Sequence, residues 1–173
     1  DHNGSRGLGD VYKRQRSVDP NFEFKVTFIG SWYDPPKAKE AAIAQIEAGV
    51  DIMYAERAGV VDACREKGIL AFGNVNDMNK EENGTDVVVT SALWHMESAI
   101  DHAIERVKAG TFSAEEYHHW TMMAKGGASL APYYEFDSKI SSELKAQISG
   151  LAADIKAGKF TVEIIDDEPK STF

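Results

Sequence analysis

The sequence predicts an α/β fold built on a parallel, doubly wound sheet, and three observations point to it. Short apolar runs alternate with helical stretches at a spacing of about 10–15 residues, the pattern of strands joined by crossover helices. The runs Val50 to Ala55, Ile69 to Phe72 and Val87 to Thr90 are almost wholly apolar, as strands covered on both faces must be. Glycines 49, 68 and 110 follow the helical stretches, where a left-handed residue ends a helix. The 173 residues suffice for one domain of ordinary size or two small lobes. A hydrophobic share of 43% with 10% aromatics excludes a disordered or fibrous chain. No stretch reaches the roughly 20 apolar residues of a membrane-spanning helix. With 28 acidic against 19 basic residues the net charge is -9, which argues against a nucleic-acid partner, because such partners are held by basic patches. The lone Cys64 cannot form an internal disulfide, so the fold must rest on its core.

Residues 1–15 lack apolar periodicity and have no apolar run of the kind a secretory signal carries. Ser5 to Gln15, SRGLGDVYKRQ, resembles a translated sequencing adapter, with a flexible basic arm as the competing reading. Set aside as non-native, they leave 16 basic and 26 acidic residues from Arg16 onward. The native N-terminal part of the protein is then expected to be missing.

From Arg16 the elements follow in order. Phe22, Phe24, Val26 and Phe28 alternate with polar residues, which predicts a strand over 22–29. Asp34 is a good N-cap and Pro35 suits the first helical position, so a helix runs from Pro35 to Ala48 and closes at Gly49. A strand over 50–55, a helix over 60–67, a strand over 69–72, a polar loop through Gly84 and a strand over 87–90 come next. Met96, Ala99, Ile100, Ala103, Ile104 and Val107 form one helical stripe. Ser113 and Glu116 suggest a capping box ahead of a strand over 117–124, and Gly126-Gly127 and Ala131 to Tyr134 read as loop. A last helix over 138–157 aligns Ile140, Leu144, Ile148, Leu151 and Ile155, and Val162, Ile164 and Ile165 give a short strand-like run in the tail. The organisation expected is a scar over 1–15, a βαβαβ core over 16–90, a crossover region over 91–134, and a C-terminal helix and tail over 135–173.

Ligands of open parallel sheets bind beyond the carboxyl ends of the strands. Those positions hold Ser31-Trp32-Tyr33, Tyr54-Ala55-Glu56-Arg57, Asn74 to Asp77 and Ser91 to His95. Trp32, Tyr54 and Trp94 offer flat faces, with stacking worth about 1–3 kcal/mol per ring. Glu56, Arg57, Asn74, Asn76 and Asp77 offer donors and acceptors for the edges of a planar ligand. Each has a structural alternative: core packing for the tryptophans, left-handed turns for the asparagines, a surface ion pair for Glu56-Arg57. Lys125, before Gly126-Gly127, could meet a ligand or serve a turn. There is no phosphate-binding glycine fingerprint, no Ser-His-Asp or Cys-His set, and His95 and His102 are two turns apart, too far to share a metal. Neither catalytic residues, nor a metal, nor a cofactor is implied.

The blocks Val26-Thr-Phe-Ile-Gly-Ser-Trp-Tyr-Asp-Pro-Pro-Lys, Gly49-Val-Asp-Ile, Ala71-Phe-Gly-Asn-Val-Asn-Asp-Met, Thr90-Ser-Ala-Leu-Trp-His-Met-Glu and Lys125-Gly-Gly-Ala-Ser-Leu-Ala-Pro-Tyr together resemble the second half of the basic membrane protein family. These are substrate-binding proteins of ABC importers, typified by purine-nucleoside-binding lipoproteins. The resemblance implies a type I periplasmic-binding fold of two α/β lobes, a ligand clamped between them, no catalysis, a permease–ATPase partner and an extracytoplasmic location, periplasmic or lipid-anchored. Nucleoside-binding members carry Gly-x-Asp-x-Asp after this strand, the first Asp serving the ribose. Here the run is Gly73-Asn74-Val75-Asn76-Asp77, and Val75 cannot accept a hydrogen bond. A purine-like ligand is expected, with a free base favoured over its nucleoside. The rivals are the ligand-sensing domain of a transcriptional regulator, which shares this fold, and an enzyme on a Rossmann-like sheet.

Overall fold

The structure is a computed structural model that describes residues 15, 18–116 and 118–160. The chain divides into two compact units, Trp32–Phe160 and a second made of Asp1–Ser31 with Thr161–Phe173. The expected scar and the strand-like run in the tail lie almost wholly outside the described residues.

Helix α1, Pro35–Glu47, starts where the sequence places it. Asp34 Oδ1 accepts the Lys37 N–H at 3.2 Å, and two prolines fill the first turn. Its buried face is Ala38, Ala42 and Gln45, and the two alanines leave room for α2, Val60–Lys67, to pack against it. Strand β1, Ile52–Ala55, lies between the two helices in the chain. In α2 Val60, Val61, Ala63 and Cys64 are all buried, so half of its eight residues are core. Burial pushes the Cys64 thiol up to about 11, which keeps it protonated and inert at neutral pH. The start of α2 is pinned to the start of α1: Gly59 has φ 97°, and a Cβ there would lie 2.3 Å from the Pro35 carbonyl oxygen.

Strand β2, Leu70–Val75, and strand β3, Val88–Trp94, complete a parallel trio in the order β1-β2-β3. Both outrun their sequence ranges. Gly73, Asn74 and Val75 belong to β2, and Ser91 to Trp94 belong to β3. The reason lies in long-range pairing. Gly73 faces Ser91, and a Cβ on Gly73 would meet Ser91 Oγ at 2.2 Å, so a glycine read locally as a strand end is a close approach of two strands. The far half of β3 is matched by β4, Ala128–Leu130, which runs antiparallel with Leu93 opposite Ser129. β4 thus lies between the loops expected at 126–127 and 131–134, on residues that the sequence leaves unassigned, and the sheet is mostly rather than wholly parallel.

Other differences have similar causes. Residues 22–29 are not a strand of this sheet and carry no strand assignment. Phe22 and Phe24 sit ring to ring at 6.4 Å and Val26 is buried, yet Phe28 is 44% exposed. Alternation marks a face, and a ladder must be supplied by a neighbour. The polar loop after β2 holds a short helix α3, Met78–Glu81, whose Asn79 is buried and donates to the Val88 carbonyl at 3.1 Å. Arg65 ties down that loop's end, donating to the Glu82 carbonyl at 3.0 Å and reaching Asp86 at 3.3 Å. In place of the strand expected over 117–124 there are two 3₁₀ turns, His118–Thr121 and Met123–Lys125. Gly127 approaches the Trp120 carbonyl too closely for any Cβ, and Trp120 stacks on His102 of α4, Glu97–Lys108, at 4.3 Å. The last helix is shorter than expected: a 3₁₀ turn, Tyr134–Lys139, precedes α5, Ser142–Lys156, which Ser141 caps through the Leu144 N–H at 3.1 Å.

The stripe on α4 is as periodic as the sequence implies, but it is not core. Only Ala99 is buried, while Ile100, Ile104 and Val107 are 53%, 44% and 61% exposed. The close contact at Gly59 supplies a test of the packing. Gly59→Ala should lower the unfolding free energy by about 2 kcal/mol or more, because positive-φ strain of about 1–3 kcal/mol adds to a backbone clash. Gly150→Ala, inside α5 with open space around it, should raise it by about 0.5–1 kcal/mol. Urea unfolding of the two variants beside the parent chain checks both signs.

Candidate functional site

The carboxyl ends of β1 and β2 meet at one side-chain amide. Asn74 is only 3% exposed, so both ends of its amide must be bonded. Tyr54, third residue of β1, donates its hydroxyl to Asn74 Oδ1 at 2.9 Å. Asn74 Nδ2 donates to Glu56 Oε2 in turn. Glu56 lies just beyond β1, where its N–H closes a tight turn onto the Tyr54 carbonyl at 3.0 Å. Its other oxygen accepts from Arg57 at 2.7 Å, and the Arg57 guanidinium stands 4.7 Å from the centre of the Trp32 ring. Tyr54, Asn74, Glu56, Arg57 and Trp32 thus form one chain of contacts, its inner end buried and its outer end, Trp32, 58% exposed. The Glu56-Arg57 pair, which the sequence allowed to be a loose surface bridge, retains only 27% and 24% side-chain exposure. Burial, reinforced by the Glu56 charge, pushes Tyr54 up to about 12.

A second knot follows directly. Val75 has φ 70°, and the Asn76 N–H returns to the Asn74 carbonyl at 2.9 Å, a γ-turn with a positive central φ. Asp77, at φ -77° and ψ 82°, centres an inverse γ-turn closed by the Met78 N–H on the Asn76 carbonyl at 3.0 Å. The Met78 N–H also reaches Ser91 Oγ at 3.2 Å. A β-branched residue at positive φ is a genuine outlier and costs about 1–3 kcal/mol. Asp77 Oδ2 accepts the Tyr134 hydroxyl and has Lys80 Nζ 3.8 Å away; Asp77 Oδ1 is buried with no hydrogen-bond partner.

The remaining candidates are placed apart or singly. Asn76 lends backbone groups to both turns. Trp94 ends β3 opposite Ala128 with its side chain 59% exposed, and Ser91, expected beyond the strand, is wholly buried within it. Lys125 lies over Trp120 at 5.1 Å, on the 3₁₀ segment rather than in the chain of contacts around Asn74. His95 Nε2 is 2.7 Å from Ser129 Oγ across β3 and β4. Tyr134 is the residue that sequence reasoning missed. Its partner is 57 positions away, and no local pattern announces such a bond. Among the described residues no group of three His, Cys, Asp or Glu could hold a metal ion, and no helix is long and apolar enough to cross a membrane.

The chain matches the family described as ABC transporter substrate-binding protein PnrA-like, Bmp, over residues 16–158. It belongs to the Bmp family. A purine-binding protein of Brucella abortus is 30% identical over 151 residues, covering 83% of this chain and 41% of the relative. A Haloferax volcanii protein named as an ABC transporter glucose-binding protein is 29% identical over 146 residues, covering 83% of this chain and 36% of that one. The chain therefore spans less than half the length of these relatives. Among solved structures, a solute-binding protein of an Aeropyrum pernix ABC transporter system superposes with a TM-score of 0.64 at 17% identity, over 91% of this chain and 52% of that one. A transcriptional activator of the comK gene from Bacillus halodurans gives 0.60 at 24% identity, over 78% and 47%. These likenesses carry the fold alone. The relatives are thus named for different ligands, and membership of the family leaves the ligand class open.

Tyr54 offers a direct check on the network around Asn74. Its unfolded-state value is the ordinary 10.0 and its folded value about 12, so its contribution to stability is complete below pH 10 and is lost as pH rises towards 12. Tyr54→Phe should flatten the fall of stability across that window, measured by urea unfolding at pH 9.5, 10.5 and 11.5. An equally steep fall in the variant would show that another group drives it.

Proposed function

We propose that this Bmp chain is the ligand-binding part of a solute-binding component of an ABC importer, taking a purine base or a nucleoside-like heterocycle. The observation that carries the reading is the chain Tyr54–Asn74–Glu56. The buried Asn74 amide, itself held by the Tyr54 hydroxyl, and the Arg57 guanidinium fix the part-exposed Glu56 carboxylate, whose remaining lone pairs are acceptors for the N–H groups on the edge of a purine. Trp32, braced by Arg57, and Trp94 supply exposed flat faces at the same edge of the sheet. The name of the Brucella relative supports the same class of ligand. Lys125 and Asp77 complete the proposed contacts, and the crevice is one wall of the cleft between lobes that the family resemblance implies. A permease–ATPase complex is the proposed partner, in an extracytoplasmic setting; nothing in the reading calls for catalysis, a cofactor or nucleic acid.

Val75 tilts the choice between base and nucleoside. It is 44% exposed at the mouth of the crevice and offers no hydrogen bond, so sugar hydroxyls placed against it would be desolvated and unpaired. Each such group costs about 1–3 kcal/mol, roughly 5- to 150-fold in affinity. Adenine should therefore bind more tightly than adenosine, and both more tightly than glucose. Val75→Asp should narrow or reverse the first preference, while Trp94→Ala should weaken both purine ligands together. Nuclear magnetic resonance titration of the chain, which reads millimolar affinities, checks this. Tighter binding of adenosine or glucose to the parent chain refutes the reading.

A further inference from the structure

Among the described residues, three that are not glycine have positive φ: Val75 at 70°, Asn83 at 51° and Tyr134 at 44°. Asparagine visits that region readily, whereas a valine and a tyrosine do so only where their surroundings hold them. The two costly residues lie at opposite ends of a single bridge. Tyr134 donates its hydroxyl to Asp77, and Asp77 follows Val75 by two residues.

The surroundings of Val75 can be traced on both sides. Upstream, Asn74 is held by Tyr54 and Glu56. Downstream, the Met78 N–H is held by Ser91 Oγ, and the Asp77 carboxylate is held by Tyr134 through one oxygen only, since its other oxygen has no hydrogen bond. Lys80 adds an ion pair to Asp77 at 3.8 Å but is itself 68% exposed, so it is a weak anchor. It is held above the ordinary lysine range chiefly by the Tyr134 oxygen and then by Asp77, which places it on the solvent side of the same bridge. Tyr134 is firm at its own end. It opens a 3₁₀ turn whose Phe136 is buried, and the Phe136 N–H returns to the Tyr133 carbonyl at 2.8 Å. Breaking the bridge would free the exit of β2 to turn Val75 back to negative φ. That rotation reorients the 75–76 peptide and, with it, the residues that face the crevice.

We infer that Tyr134 is a positioning residue for the proposed crevice: through Asp77 it holds the strained γ-turn at Val75 and the inverse γ-turn after it, which set Val75 and Asn76 at the binding edge beside Asn74. The inference rests on the purine reading for its ligand, not for its mechanics. Glycine adopts φ near 70° without strain, so a chain with glycine at 75 no longer needs the bridge.

The test is a double-mutant cycle of Tyr134→Phe and Val75→Gly in the chain as it stands. Two quantities are read: hydrogen exchange of the Asn76 and Met78 amides, which close the two turns, and the dissociation constant for adenine. Tyr134→Phe should speed exchange at those two amides at least tenfold, leave the β1–β2 ladder amides unchanged, and weaken adenine at least fivefold. In the Val75→Gly background the same substitution should change both by less than twofold. Equal losses in the two backgrounds would mean ordinary structural support and overturn the inference, as would unchanged exchange in Tyr134→Phe. If the parent chain binds no adenine the purine reading falls, and the exchange cycle still decides the role of Tyr134.

Discussion

A side-chain amide sealed beneath the end of the central strand must have both of its ends bonded, and the candidate site is built outward from that requirement. Leaving one end of a buried amide unpaired costs about 1–3 kcal/mol. Tyr54 satisfies the oxygen of Asn74 and Glu56 satisfies the nitrogen, which fixes the relative height of β1 and β2 at the residues where a ligand would lie. Arg57 and Trp32 follow because the second oxygen of Glu56 also needs a partner. A network saturated in this way is rigid before anything binds, and rigidity is what lets a small polar surface discriminate between ligands.

The close strand packing beneath this network serves the same end. Gly73 lets β2 approach Ser91 of β3, and Ser91 holds the first backbone N–H of α3. The chain is thus gripped immediately before and after the γ-turns. In the other direction α1 and α2 are drawn together at Gly59, against the Pro35 carbonyl. Glycine appears at these two places because a side chain would push the paired elements apart.

What was legible in the sequence follows from the range of the interactions involved. The N-cap at Asp34, the prolines after it and the Gly68 terminator act within a few residues, and the helices they define run as read. The parallel trio was legible because strands covered on both faces are apolar throughout. The end of β3 and all of β4 were not, since the end of β3 pairs with β2 about eighteen positions back and with β4 more than thirty positions on, and β4 pairs with β3 alone. Alternation over 117–124 failed for a related reason: Trp120 serves a stack on His102 and the short turns serve Gly127, so periodicity there records side-chain partners rather than a ladder. The candidate residues at the ends of β1 and β2 were visible because strand ends are where ligands bind such sheets. Their wiring was not, and neither was Tyr134.

Val75 and Tyr134 are the places where local preference and native conformation disagree most. Local rules would place both at negative φ, and the fold keeps them elsewhere by bonds to Asp77, Asn74 and Ser91. A core can be repacked until such conflicts vanish, so their survival beside the strand ends argues for use rather than accident. Strain concentrated in one short segment has a further physical consequence. It makes that segment depend on the bonds that hold it, beside an Asn74 network whose own groups are already paired. In the proposed reading the saturated Asn74 network would hold the hydrogen-bonding pattern of the binding edge, and the strained backbone at Val75 would set the apolar side beside it.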